Sequence, residues 1–341
     1  MAAMPSRAAP APLPPWLRML RIGYPSANVV VTTAGRRVLF DSGYGSDAGR
    51  LPAALAQAGA PADALELVVN THWHSDHVGG NAALQRRHGI PVAAEAGDAE
   101  AVNRCDRAAC MAEWLDQPVE RYRVDVPLRP GDRLRAGPAD WEVLSTPGHT
   151  PRHLSFHQPD ERVLVLGDAL HDDDVGWIDV ALDGPAAIDA ALRTVVSLAA
   201  LAPRVALSGH GPVMADPPRA FAAAHARYER MRADPQRAAW HAMKRILAFA
   251  LMIRDGVALD ELDAYLVASP WLAGHAARVF ATTPEALAAD LLAEMRRAGA
   301  VEERDGRLRC RTPSHPPPPE WARPAPPRGW ARATGAAPAA G

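Results

Sequence analysis

Three imidazoles and a carboxylate crowd into six residues at His72-Trp73-His74-Ser75-Asp76-His77, and that run constrains the fold more than any other feature of the chain. It follows a mostly apolar stretch, Leu65 to Val69, that is short, β-branched near its end and bounded by polar residues. Such a stretch predicts a buried strand. His72 and His74 are two apart, so an extended segment leaving that strand points both side chains the same way. Asp76 and His77 fall where the chain turns, and Gly79-Gly80 let the backbone bend tightly before the next helix. Four ligand-type side chains can then converge on one small volume. Imidazole and carboxylate without thiolate suit zinc, iron or manganese. A polar surface loop with solvated histidines would look the same over six residues, so the rest of the chain has to decide.

The rest of the chain repeats the arrangement. Trp141–Ser145 reads as a strand and runs into Thr146-Pro147-Gly148-His149. Arg162–Leu166 ends in Gly167-Asp168, and Arg204–Leu207 ends in Ser208-Gly209-His210-Gly211-Pro212. Four apolar runs thus terminate in ligand-bearing turns, and in layered α/β folds such sites collect where strand ends open into loops. Upstream, Leu17–Ile22, Ala27–Thr33 and Arg37–Phe40 read as strands, the third running into Asp41-Ser42-Gly43. Helices are predicted at Pro52–Ala58, Asn81–Arg87 and Pro185–Leu201. Further strands are predicted at Pro91–Ala94, Asp132–Arg135 and Leu154–His157. Strands first cluster, then alternate with helices, in two successive halves. That predicts an α/β fold of two sheets packed face to face with helices outside. Residues 96–121 read as mostly helical and lie where they would overhang the site as a lid.

At 341 residues the chain can bury one large domain and a smaller one. Residues 1–15 are Ala/Pro-rich without an apolar signal core, which predicts a disordered arm and no secretory signal. A catalytic domain then spans 16–218. From about residue 219 the pattern turns helical, with helices at 219–232, 237–254, Leu259–Leu266 and Pro284–Ala298, the last stopped by Gly299. Val301–Arg304 and Arg307–Arg311 flank Asp305-Gly306, a strong two-residue hairpin signal. Helices followed by a hairpin read as a winged-helix-like C-terminal domain over 219–311. Residues 312–341 are Pro/Ala-rich and read as disordered or polyproline-like. No charge-free apolar stretch reaches the length of a membrane span. The net charge of −2 supplies no global basic field for nucleic acid. Cys105, Cys110 and Cys310 are too few and too irregularly spaced for a disulfide framework, which predicts a cytoplasmic protein with isolated thiols.

The H-x-H-x-D-H run (His72, His74, Asp76, His77), Thr-Pro-Gly-His at 146–149, Gly-Asp at 167–168 and Gly-His-Gly-Pro at 209–212 together resemble the metallo-β-lactamase-fold superfamily, in order and in spacing. The upstream Asp41-Ser42-Gly43 fits as well. The resemblance covers about residues 18–215 and implies an αββα sandwich. It implies that His72, His74 and His149 hold one divalent metal ion, that Asp76, His77 and His210 hold a second, and that Asp168 bridges them. Zinc is the expected metal, with iron or manganese as alternatives. Asp41 and His153 would support the ligands without binding metal. Such a set leaves a position open for water, and two cations roughly 3.5–4 Å apart can share a hydroxide nucleophile at neutral pH. Asp76 would orient that hydroxide and relay its proton, so Asp76 is both ligand and catalytic residue.

The superfamily spans several chemistries. The first expectation is hydrolysis of a small thioester, ester or lactone. Glyoxalase II is the nearest such activity, although its C-terminal glutathione-binding basic motifs have no counterpart here. The alternative is an endoribonuclease like the lactamase-like nucleases, with Arg296, Arg297, Arg304, Arg307, Arg309 and Arg311 meeting phosphates. Acidic residues interleave with those arginines, which favours a C-terminal module that packs on the catalytic domain or makes a homodimer contact. A metal-sensing protein and a mononuclear-iron sulfur dioxygenase fit the full ligand set less well. Beside the site, His171 and Asp172–Asp174 read as a solvated acidic turn and Trp73 as a packed residue. Arg152 reads either as a surface residue or as an anion-binding group.

Overall fold

The structure, a computed structural model, describes residues 9–322. Six strands form the first sheet in the order β1-β2-β3-β4-β5-β6: β1 (Leu17–Leu20), β2 (Val29–Thr32), β3 (Val38–Phe40), β4 (Leu67–Val69), β5 (Val92–Glu95) and β6 (Val126–Leu128). The first three pair antiparallel through short turns. From β3 onward neighbours are parallel, because helices at Leu51–Gln57, Asn81–His88 and Ala96–Asn103 carry the chain back between them. The second sheet runs β11-β10-β9-β8-β7, with β7 (Arg133–Ala136), β8 (Ala139–Ser145), β9 (Leu154–Gln158), β10 (Val163–Gly167) and β11 (Val205–Ser208). Only β10 and β11 are parallel, joined across the helix Ala186–Ala200.

The two-residue period of a strand explains the layering. Val30, Phe40, Leu67 and Val69 of the first sheet meet Val143, Phe156, Val165 and Leu207 of the second in one central core. Their neighbours Val29, Val31, Leu39 and Val68 face the other way and pack with Leu51, Leu55, Val78 and Leu84. On the far side Leu164, Leu166 and Ala206 pack with Ile188, Val195, Phe221 and Tyr228. Both faces of both sheets are therefore covered, giving the αββα sandwich.

The helix Pro217–Ala233, grouped by composition with the C-terminal domain, lays Phe221, Ala224 and Tyr228 on the outer face of the second sheet. Beyond it the C-terminal module begins along the helix Pro235–Ile253, whose Ala238 and Ala239 still pack on that core. It continues through β12 (Val257–Ala258), helices Leu262–Ala268, Pro270–His275 and Pro284–Arg297, and the hairpin β13 (Val301–Arg304) to β14 (Arg307–Cys310), in a three-stranded sheet ordered β12-β14-β13. The hairpin turns at Asp305 and Gly306 with φ of 55° and 70°, the positive pair that this two-residue connection requires. No helix among the described residues is long and apolar enough to cross a membrane.

Several expectations need correction. Residues 9–15, expected to be disordered, lie against the sandwich: Ala11 and Leu13 pack on the central core, and Arg204 donates to the Pro12 carbonyl at 2.8 Å. The tail is likewise ordered as far as residue 322, with His315 N donating to the Tyr24 carbonyl at 2.7 Å and Trp321 against the Tyr44 ring at 5.5 Å. Residues 1–8 and 323–341 lie outside the described residues. Strand β6 is absent from the sequence pattern because Pro127 interrupts it. Proline is tolerated there because β6 is an edge strand.

Residues 96–121 are less helical than their pattern suggests. Beyond Asn103 the non-glycine residues Cys105, Cys110, Met111 and Asp116 adopt left-handed backbone, at about 1–2 kcal/mol each. Burial offsets that cost. Met111 and Leu115 share a core with Ile246, Leu247 and Trp271 of the C-terminal module, and Asp116 is paired with Arg254. The segment packs between the sandwich and the module, with Ala109, Cys110 and Ala112 on one core and Met111 and Leu115 on the other.

Asp98, within this segment, is buried, and its Oδ1 has no hydrogen-bond partner. Burial pushes its carboxyl up to about 7, the neighbouring Glu95 adds to this, and Arg152 at 3.5 Å opposes it. In the unfolded chain the same group titrates near 4, at roughly 3.9. Between those values the folded state binds the extra proton, so stability falls as pH rises from about 4 to about 7. Asp98→Asn is expected to flatten that loss and to stabilise the protein at pH 8 by about 1–3 kcal/mol. Thermal unfolding at pH 5 and pH 8 measures it, and an equal response of both proteins to pH would count against the assignment.

Candidate metal centre

The C-terminal ends of β4, β8, β10 and β11 open onto one edge of the sandwich, and each delivers ligand-type side chains. Past β4 the chain stays extended through His74 (φ −64°, ψ 151°) and then winds one helical turn, Ser75–Val78. His72 and His74 therefore precede the turn while Asp76 and His77 ride on it. His149, Asp168 and His210 come from the loops after β8, β10 and β11. All seven come together. His72, His74 and His149 form one group, Asp76, His77 and His210 another, and His72, His77 and Asp168 connect them, with the ligand atoms of each group within 4.8 Å of one another.

The hydrogen bonds around the first group fix which nitrogens carry lone pairs. Thr71 Oγ1 donates to Asp41 Oδ2 at 2.8 Å, so it accepts from His72 Nδ1 at 3.0 Å. His149 Nδ1 donates to the Trp177 carbonyl at 2.7 Å. His74 Nε2 meets the Met111 sulfur at 3.1 Å, and the Trp177 ring stacks on this imidazole at 5.0 Å. The inner nitrogens, His72 Nε2, His74 Nδ1 and His149 Nε2, are left facing one another at 3.1 and 2.9 Å. Burial holds the His72 imidazole well below its usual titration range, and the neighbouring histidines lower it further. Three converging neutral nitrogens suit a cation.

The second group shows the same need from the opposite charge. His77 Nδ1 donates to Asp41 Oδ2 at 2.7 Å. Its Nε2 is buried without a hydrogen-bond partner, 3.3 Å from Asp168 Oδ1, which also lacks one. Burial alone would lower the His77 pKa, but Asp168, Asp41 and Asp76 raise it to about 10. His210 is also raised well above its ordinary value: burial opposes this, and Asp168 and Asp76 prevail, at 3.5 and 3.1 Å from its Nε2. Burial works against ionisation of Asp168 too, yet His210 and His77 hold it well below the usual carboxylate range. The carboxylates around His77 and His210 favour positive charge, which a divalent cation held there would supply. The orphaned His77 and Asp168 atoms fit that group.

Asp41 and His153 are tied into the same network by hydrogen bonds. Asp41 accepts from Thr71 N and Oγ1, both at 2.8 Å, as well as from His77. His153 accepts from the Asp168 backbone N–H through Nε2 at 3.1 Å and meets Thr146 Oγ1 through Nδ1 at 2.8 Å. Both its nitrogens are occupied, so it fastens the loop rather than joining the ligands.

Other residues differ from expectation. Asp174 is not simply solvated. It pairs with Arg245, with Arg227 at 3.1 Å and with His241 at 3.1 Å, tying the loop after β10 to the helix Pro235–Ile253. His171 Nδ1 lies 2.5 Å from Ser208 Oγ, and its ring faces His210 at 5.5 Å. Burial pushes its pKa down to about 3. Arg152 is paired with Asp98 and Glu95. Trp73 packs between two cores, and the three cysteines are free. Sequence reasoning misses Met111, Trp177 and Tyr24, whose ring stacks on His210 at 5.1 Å. Each sits on an irregular loop with no periodic signal, whereas Thr71 and Thr146 adjoin the motifs and are within reach of it. A cavity of about 530 Å³ opens beside the ligands. The loops after β10 and β11 line one side, and helices Pro235–Ile253 and Pro284–Arg297 line the other.

The family model of the metallo-beta-lactamase superfamily matches residues 21–210, more than half of the chain and all seven candidate ligand positions. The chain belongs to that superfamily. It is similar to the hydroxyacylglutathione hydrolase of Hyphomonas neptunium, at 31% identity over 34% of this chain and 38% of that one. It is also similar to the enzyme of the same name from Methylococcus capsulatus, at 34% identity over 39% and 46%. The chain thus spans less than half the length of either relative. A probable metallo-hydrolase of Bacillus subtilis is 28% identical over 51% of this chain and 75% of its own. Among solved structures, a metallo-beta-lactamase family protein from Thermus thermophilus superimposes with a TM-score of 0.53 at 25% identity, over 87% of this chain and 99% of that one. That likeness extends beyond the sandwich into the C-terminal module. A subclass B3 metallo-beta-lactamase of Bradyrhizobium japonicum (TM-score 0.50, 20% identity, 62% of this chain, 88% of that one) shares the fold.

Proposed function

We propose that this protein is a metal-dependent hydrolase of a small thioester, ester or lactone. His72, His74 and His149 would hold one divalent ion, Asp76, His77 and His210 a second, and Asp168 would reach both. The observation that carries this reading is the convergence of three lone-pair nitrogens beside two orphaned buried atoms, His77 Nε2 and Asp168 Oδ1. Bound zinc, or iron or manganese on the same donors, would supply Lewis acidity and a water whose pKa falls to about 7. The water oxygen bonds to the acyl carbon, the bond from that carbon to sulfur or oxygen breaks, and a proton passes to the leaving group. Asp76 lines the cavity with its Oδ2 at 3.1 Å from His210, which suits it to take that proton and hand it on. Tyr24, stacked on His210, and the Trp177 ring over His74 keep the imidazoles oriented.

The charge pattern supports a small substrate over RNA. Arg296 pairs with Glu303, Arg297 with Glu294, Arg304 with Glu302 and Arg309 with Asp255. Arg307 spends its guanidinium on the carbonyls of Asp255 and Gly256. Five of the six arginines a nuclease would use for phosphates are thus engaged within the module. The test is a panel of an acetyl thioester, a lactone and single-stranded RNA, given to zinc-loaded protein whose metal content is fixed by elemental analysis. Thioester or lactone turnover that a chelator abolishes is expected. RNA cleavage with steep salt dependence and no ester turnover would reverse the assignment.

A further inference from the structure

Building on the hydrolase reading, we propose that the acyl half of the substrate is a linear apolar chain of medium length, seated in the trough that the C-terminal module adds to the metal centre. The helix Pro235–Ile253 places Arg245, Phe249 and Met252 along the cavity, at steps of four and three residues that keep them on one face. Arg245 stands at the end beside the ligand loops, held there by Asp174. Met252 stands seven residues on, about 10 Å away, room for roughly eight methylenes. There it is joined by Met295 from the helix Pro284–Arg297 and by Ala300 and Cys310 at the hairpin. The lining therefore joins the carboxylates and imidazoles of the ligand loops to two methionine thioethers, Ala300, Cys310 and the Thr312 hydroxyl of the module.

Two features separate this wall from ordinary core. Phe249, Ala300 and Cys310 are only half-buried although apolar, so the packing of the chain on itself does not use up their surface. Met252 and Met295, buried behind them, are unbranched and polarisable, which lets them yield to a flexible chain. The cavity volume of about 530 Å³ lies within the range of small-molecule sites. An acyl group whose carbonyl sits among the ligands has this trough as its continuation, because the same cavity touches Asp76, Asp168 and His210.

The experiment gives the zinc-loaded full chain a series of thioesters of one thiol, from acetyl to decanoyl. With the leaving group constant, kcat/KM is expected to rise about three- to fourfold per added methylene and to level off near eight to ten carbons. Ala300→Leu, which narrows the apolar end, is expected to lower the octanoyl-to-acetyl ratio about tenfold. That ratio is internal to each protein and so is insensitive to the fraction folded. Calorimetry on chelator-treated protein provides a readout independent of catalysis: decanoate should bind at least about a hundredfold more tightly than acetate, and less tightly to Ala300→Leu. A flat or falling chain-length profile with intact acetyl turnover overturns the acyl trough and leaves the hydrolase reading standing. Decanoate binding without turnover of any ester supports the trough and overturns the hydrolase reading. Equal binding of decanoate and acetate overturns the trough.

Discussion

Asp168→Ala is expected to strip divalent metal from the protein and to lower the proposed ester turnover about a hundred- to a thousandfold. The size of the effect follows from where this carboxylate stands. Its Oδ1 lies 3.3 Å from His77 Nε2, and its Oδ2 lies 3.7 Å from His149 Nε2 and 3.5 Å from His210 Nε2. It therefore reaches toward both ligand groups at once. Removing it leaves Asp76 and Asp41 on the His77 side but no carboxylate between the two groups of imidazoles, and a single preorganised electrostatic group in such a site is typically worth about 10²–10³ in rate. The strand end that carries it is held independently, by the β10–β11 pairing and by the parallel ladder partner Ser208 of Gly167, so the sandwich should stay folded. Elemental analysis and turnover measured on the same preparation decide the matter. A variant that keeps its metal and most of its activity would remove Asp168 from the proposed ligand set.

The second large effect is expected from one methyl group. A Cβ on Gly209 would stand 2.2 Å from Asp168 Oδ1 and 2.6 Å from His77 Cε1, both far inside van der Waals contact. The backbone has no room to retreat, because Gly209 N donates to the Gly167 carbonyl at 2.7 Å and its own carbonyl accepts from Asn28 N at 2.6 Å. The methyl group must therefore displace the carboxylate or the imidazole. Gly209→Ala is expected to weaken metal binding and to lower turnover by about a hundredfold. Gly211→Ala makes the matched comparison. A Cβ there meets nothing within 4 Å, and only its φ of 85° is strained, at about 1–2 kcal/mol. Metal content should therefore fall in the first variant and persist in the second. Equal metal content in both would show that the ligand loops yield more readily than their hydrogen bonds imply.

The ligands were legible because metal chemistry is local. His72, His74, Asp76 and His77 need only a strand that runs out into one helical turn, and both halves of that instruction lie within a dozen residues. His149, Asp168 and His210 were legible through repetition, since each follows an apolar run in the same way. The Asp305-Gly306 hairpin was readable for a similar reason: a two-residue connection demands positive φ at both positions, and these residue types supply it. Long-range partners were not legible. Met111 reaches His74 through a loop held in left-handed conformations by contacts with the C-terminal module. Asp174 looked like one acid among three until the fold brought Arg227, His241 and Arg245 to it. Proline-rich segments beside the sandwich looked disordered because composition records how little a segment can bury by itself, not what surface lies waiting for it.

The sequence by itself determined the layers and which ligand-type residues stand at the strand ends. Strand alternation dictates which faces are covered, and the residue types at four strand ends dictate what can bind there. The tertiary structure alone decided the shape of the cavity beside those ligands. An amphipathic helix such as Pro235–Ile253 announces that one of its faces is buried, but its period carries no information about what that face is buried against. Only the docking of the module on the sandwich turned that face into a wall of the site.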